Sequence, residues 1–335
     1  MKKISSETYF WLLIAPIFIW ELTACKTTAA SKTAVSVVKT TTSKVVTSAE
    51  APLEKALLWK IEGKKIKTPS YLYGTIHLIP KKDFAVTSQM QEGIKSSKKL
   101  VAELDVSQLM ISSLKIFQLA PMKNGTKLKD LLSESEYKEV FDYFSTNSDE
   151  AKFLGIENLM TWKPLTLESF LYTKILAKSN GTSAQPEPTT SVEMELLEVA
   201  QANQLSFGGL ETIDDQMAIF DSIPYKKQAT QLLESIRSLK NSSVSKEADF
   251  EKLLKLYKNQ DIDGMHQEFA KDESMSPSEM AMMLDNRNKR WIPLIEQMTA
   301  TESIFIAVGA GHLGGTNGLV RLLQKKGYKV TAVKQ

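Results

Sequence analysis

The sequence predicts an α/β (α+β) fold: a central mixed sheet flanked by helices, with a helix-rich insert in the middle of the chain. Three observations carry this. Four short, β-rich apolar runs, at 70–76, 99–104, 205–210 and 303–308, are spread along the chain, each closed by a small or polar cluster. Amphipathic helical patterns lie between them. The 335 residues are 42% hydrophobic and 24% charged, enough apolar material for a sizeable core and too much for a disordered chain.

Taken in order, the chain opens with Lys2 and Lys3, an apolar run from Tyr9 to Trp20, and then Leu22-Thr23-Ala24-Cys25. The run is roughly a dozen residues, short of the ~20 that span a bilayer, so it reads as an export signal over residues 1–24. Small residues before a cysteine resemble a bacterial lipobox, in which cleavage leaves Cys25 as the lipid-bearing first residue. Cys25 is the only cysteine in the chain, which excludes a disulfide scaffold and any multi-cysteine metal centre. Residues 25–50 are rich in Thr, Ser, Ala, Val and Lys, lack aromatic residues and show no apolar period, which predicts a flexible stalk. Lys26, Lys32, Lys39 and Lys44 against Glu50 place the net charge of +3 in this segment, leaving the rest close to neutral and giving no basis for nucleic-acid binding. The expected localisation is the cell envelope, lipid-anchored. Lys26 after the cysteine favours the outer membrane in a Gram-negative cell.

The folded domain is expected over 51–335. Residues 58–61 and 71–74 predict a hairpin, and 329–333 a last strand. Ser133 with Glu136 forms a capping box that opens a helix with Tyr137, Val140, Phe141 and Phe144 on one face. Helical periods follow at 193–204, 212–222, 225–239 and 248–257, Pro224 separating the second from the third. Residues 178–190, with Asn-Gly and Pro-Glu-Pro, predict a loop. Ser276-Pro277 supplies the cap and first-turn proline of a helix over 277–291.

Two of the three histidines share a context. His77 and His312 each follow a β-type run and stand three residues after a glycine, Gly74 and Gly309; His266 lacks the pattern and reads as a surface helix histidine. The other two β-runs end in carboxylates, Glu103 and Glu211. Ligands of α/β sheets bind beyond the carboxyl ends of strands, so four strand ends are expected to meet over one site. Two imidazoles and a carboxylate leave open coordination positions on a divalent metal, which would polarise a carbonyl and lower the pKa of bound water, while a spare glutamate moves the proton. On the helix 278–291, Met280, Leu284, Arg287, Asn288 and Trp291 fall on one stripe, so a guanidinium interrupts an apolar face; it needs a buried carboxylate or a substrate anion. Arg287 is expected to orient Glu103 or Glu211 or to bind the substrate. The loop at 314–317 offers backbone N–H groups to an anion at the start of a helix over 318–325.

At these residues the chain resembles the TraB/GumN family, which includes PrgY and is related to the Tiki metalloproteases. The matching pieces are 71–78 (YLYGTIHL), 101–105 (VAELD), 208–212 (GGLET) with Gln216, 286–291 (NRNKRW) and 308–313 (VGAGHL). The resemblance implies a fold related to erythromycin-esterase-like and ChaN-like proteins, and an envelope hydrolase that cleaves peptides in a metal-dependent way. It puts His77 and His312 in the two Gly-x-x-His positions, Glu103 in the ELD position, Glu211 in the GLET position, and Arg287 and Asn288 in the family's Arg-Asn pair. His77 and His312 are the implied metal ligands with Glu103 or Glu211 as the third and the other glutamate as general base, the metal's identity being open. Glu103, Glu211, Arg287 and Asn288 are the implied catalytic groups. The chain departs from the family at Ser191-Val192-Glu193, where Gly-x-Asp is common, and in the order Trp162-Lys163-Pro164. The alternatives are a lipoprotein that binds a metal, haem or small ligand without turnover, and an inert envelope scaffold.

Overall fold

The structure is a computed structural model that describes residues 51–63, 66–179, 188–240, 244–271 and 275–335. The export signal, Cys25, the stalk and residues 180–187 of the expected loop lie outside the described residues. The apolar runs form strands β1 (Leu58–Glu62), β2 (Ser70–Thr75), β3 (Ile79–Pro80), β4 (Lys99–Ala102), β5 (Thr189–Thr190), β6 (Ser206–Gly209), β7 (Ile304–Gly309) and β8 (Lys329–Val333).

Six of these make one mixed sheet in the order β6-β4-β7-β2-β1-β8. The first four are mutually parallel, Ala102 facing both Gly209 and Ala307, and Thr75 facing Gly309. The expected hairpin is present, Leu58 opposite Tyr73. Parallel strands covered on both faces need apolar residues throughout, and β7, Ile-Phe-Ile-Ala-Val-Gly, is buried at all six positions. Phe305 stacks on Tyr71 and Tyr73 across the β2 boundary, ring centroids 6.3 and 6.4 Å apart. Most of the described helices sit in two long crossovers. Between β4 and β6 run Leu109–Leu119, Glu134–Asn147, Pro164–Ser179 and Val192–Ala202; between β6 and β7 run Ile213–Ser222, Tyr225–Lys240, Val244–Lys258, Ile262–Ala270 and a long helical segment beginning at Pro277. None of the described helices is long and apolar enough to cross a membrane.

Three expectations change. The helix expected over 277–291 is a short α-turn (Pro277–Met280), a π-helical stretch (Ala281–Asp285) and a helix Asn286–Thr301 that runs on through Pro293. The end of the expected loop instead pairs with the chain after His77: β3 and β5 form a second, two-stranded ribbon, Ile79 opposite Thr190. His266 lies on the helix Ile262–Ala270 but is half-buried. Its ring lies where a Cβ on Gly315 would sit, within 2.6 Å. Burial therefore holds its pKa below the usual histidine value.

Candidate active site

The parallel order of β6, β4, β7 and β2 decides where the four sequence-predicted groups go. Each leaves the carboxyl end of its own strand, so Glu211, Glu103, His312 and His77 stand in that order along one edge of the sheet. The strand ends approach closely. A Cβ on Gly209 would lie 2.6 Å from the backbone nitrogen of Asp105, and the Glu211 N–H donates to the Glu103 carbonyl at 3.0 Å. A Cβ on Gly74 would meet the Cα of Ala310 at 3.1 Å, which is why this position, next to the His312 turn, carries none.

Arg287 is the hub. The π-helical stretch ends two residues before it, and from the next turns Arg287, Asn288 and Trp291 all point inward, each at most 5% exposed. The guanidinium has five N–H donors and all five are used. Nε donates to Glu211 Oε2 at 3.2 Å, Nη2 to Glu211 Oε1 at 2.6 Å and to Glu103 Oε2, and Nη1 to the Met283 carbonyl at 3.1 Å and to His312 Nε2 at 3.0 Å. Because arginine only donates, His312 Nε2 is an acceptor and its Nδ1–H donates to Asn288 Oδ1 at 2.7 Å. The Asn288 amide in turn donates to the carbonyls of His312 and Asn317, at 3.2 and 2.9 Å. His312 is fully buried, with the Trp291 ring 4.5 Å away.

The carboxylates are fully engaged. Glu103 Oε1 accepts from the Gly309 N–H at 2.9 Å. Burial pushes the Glu103 carboxyl up, but the Arg287 guanidinium, with the Gly309 N–H, outweighs it and holds the group at about 2. Glu211 also accepts from Gln216 Nε2 at 2.8 Å and Trp291 Nε1 at 3.3 Å, and Arg290 stands 3.8 Å away at the half-exposed rim. Neither glutamate caps the helix Ile213–Ser222; Thr212 and Asp215 form that capping box.

His77 is different in kind. Its side chain keeps 15% exposure, and Nδ1 lies 2.7 Å from Glu193 Oε1. Burial raises the Glu193 carboxyl, and the His77 imidazole beside it more than reverses this, leaving it below the usual carboxylate range. The β3–β5 ribbon makes this contact, joining the chain two residues after His77 to the chain three residues before Glu193. Glu193 was not among the expected site residues. Locally it reads as an acidic residue in a helix's first turn, and only its departure from the family pattern marked the position. Gln216, on the helix Ile213–Ser222, and Trp291, on the helix Asn286–Thr301, also reach the site, both donating to Glu211.

The other signals resolve as structure. The Gly315 N–H is taken by Asp263 Oδ1 at 2.9 Å, so the 314–317 loop does not present it to an anion. Lys163 is buried, reaching the Pro121 carbonyl at 3.3 Å and Asp221 at 3.2 Å. Arg287 pairs with both glutamates instead of one.

A divalent metal needs lone pairs converging on one point. Residue types suited to it are gathered here, but the described residues contain no group of three His, Cys, Asp or Glu arranged to hold an ion. The Nε2 lone pair of His312 and one oxygen of Glu103 face Arg287. This arrangement does not fit a metal held jointly by His77, His312 and Glu103.

The fold and this strand-end site define a member of a known group. The family model for the TraB/PrgY/gumN family matches residues 57–332, and the chain belongs to that family. It is 22% identical over 326 residues to a protein named Metalloprotease TIKI2 from Danio rerio. The match covers 82% of this chain and 60% of that relative, so the chain spans less than two thirds of the relative's length. No solved structure matches the chain.

Proposed function

We propose that this protein is a hydrolase of peptide bonds, held in the cell envelope by a lipid on Cys25, in which His77 is the general base and Glu193 positions it. The observation that carries the reading is the His77 Nδ1–Glu193 contact of 2.7 Å at the accessible end of an otherwise buried row. A carboxylate 2.7 Å from Nδ1 favours the proton on that nitrogen, leaves Nε2 as the proton acceptor and stabilises the imidazolium that forms when water gives up its proton to attack a carbonyl. Arg287 and Asn288 act through others: they hold Glu103, Glu211 and His312 in one geometry beside that base. Similarity to a protein named a metalloprotease favours peptides as the substrate class.

The test is cleavage of a peptide library by the purified protein, followed by mass spectrometry. General-base assistance is worth about 10²–10⁴ in rate. His77→Gln is expected to lower kcat by that order, and Glu193→Gln to lower kcat less and alter the pH profile, with KM little changed in both. Unchanged kcat in both variants removes the reading. For the anchor, globomycin is expected to leave unprocessed precursor; processing unaffected by it removes the lipid.

Similarity to a protein named a metalloprotease also supports a second form of the proposal, in which His77, His312 and Glu103 hold a divalent metal. It requires Arg287 to withdraw from His312 and Glu103.

A further inference from the structure

We infer that Arg287 is the built-in cation of this site, and that the site takes no divalent metal while the guanidinium is in place. The inference rests on the hydrolase reading only for the location of the chemistry. Its own basis is the pattern of donors and acceptors. Five guanidinium N–H groups meet two oxygens of Glu211, one of Glu103, the Met283 carbonyl and His312 Nε2. The imidazole lone pair a metal would use is already an acceptor, and its ring is held by the Nδ1–Asn288 hydrogen bond and by the tilted Trp291 ring 4.5 Å away. Arg287, and from the half-exposed rim Arg290, already stand against Glu103 and Glu211. The guanidinium is also anchored from its face, its Cζ 4.8 Å from the Trp291 ring centre. A dication entering here would meet a fixed positive charge and no open lone pair on His312.

The same geometry predicts what removing that charge exposes. Without the guanidinium, the Glu103 and Glu211 carboxylates and His312 Nε2 face one space, which is a hard-oxygen and imidazole donor set suited to a first-row dication. Arg287→Ala should therefore gain a metal site that the native chain lacks.

The experiment is titration of the chelator-dialysed full-length protein with Co2+, read by visible absorption and calorimetry. The native protein is expected to bind no Co2+ through His312. Arg287→Ala is expected to bind one equivalent, lost in Arg287→Ala/His312→Ala. One equivalent of Co2+ bound by the native protein, and lost in both His312→Ala and Glu103→Gln, overturns the inference. Binding that survives both of those changes lies elsewhere on the chain and leaves it standing. If Arg287→Ala does not fold, judged by circular dichroism, the native titration decides alone. The hydrolase reading fails separately: a native protein that cleaves no peptide defeats it whatever the titration shows. Cleavage that a chelator abolishes, with Co2+ binding that needs His312, defeats the cation inference and spares the hydrolase.

Discussion

At the residue scale the central fact is one arginine holding two buried carboxylates and one imidazole. Removing a single member of such a group leaves an uncompensated charge in the interior, which is far more costly than removing the whole group. Arg287→Met is expected to destabilise the protein by about 3–5 kcal/mol. The triple change Arg287→Met, Glu103→Gln and Glu211→Gln is expected to cost clearly less, since no buried charge is then left alone. Urea unfolding of the two variants checks this. Equal losses would mean that the carboxylates gain their stability from Gly309, Gln216 and Trp291 alone. His77 belongs to the same row but keeps solvent access, so its substitution is expected to affect rate more than stability.

At the element scale, the site depends on how closely neighbouring strand ends approach. Glu103 and Glu211 reach the same guanidinium because β4 and β6 run parallel and leave the sheet side by side, a contact that Gly209 allows. Gly209→Ala places a methyl 2.6 Å from backbone, which cannot move aside like a flexible side chain. The expected cost is about 1–3 kcal/mol of stability, with kcat reduced as well, measured by thermal melting and peptide cleavage. A melting temperature equal to the native one would show that the strand ends are looser than this. Of the expected stripe, Leu284, Arg287, Asn288 and Trp291 are all buried and Met280 half-buried, although a π-helical stretch at Ala281–Asp285 lies within it.

At the scale of the whole molecule, Asp263 ties the first described residues to the last helix. It accepts from the Leu53 N–H and the Gly315 N–H, both at 2.9 Å, and from Arg321 at 2.8 Å, while Arg321 also holds the Ala51 carbonyl at 2.9 Å. Burial raises the Asp263 carboxyl, and the Arg321 hydrogen bonds with the two N–H groups bring it down to about 2 from 3.8. A folded-state value below the unfolded one contributes stability that is complete above about pH 4 and is lost as pH falls through about 2. Native protein is therefore expected to lose stability more steeply over that interval than Asp263→Asn, by melting temperature against pH. Parallel curves for the two would remove Asp263 from the acid response.

Much of this was legible in sequence because it is local. Strand runs, the Ser133 capping box and the two Gly-x-x-His segments announce themselves through period and turn chemistry, and His77, His312, Glu103, Glu211 and Arg287 were all named from those signals. That the first four share one edge follows from parallel strands ending in polar residues. What only the tertiary structure decided was who holds whom. The His77–Glu193 pair depends on a ribbon between two-residue strands, too short and too proline-rich to leave a pattern. The choice of Arg287 as the partner of His312 Nε2 depends on how the helix Asn286–Thr301 is set against the end of β7. Residue types and their strand ends are written in short windows of the chain. The matching of five donors to five acceptors is a property of distances between segments up to 184 residues apart, and no local period records it.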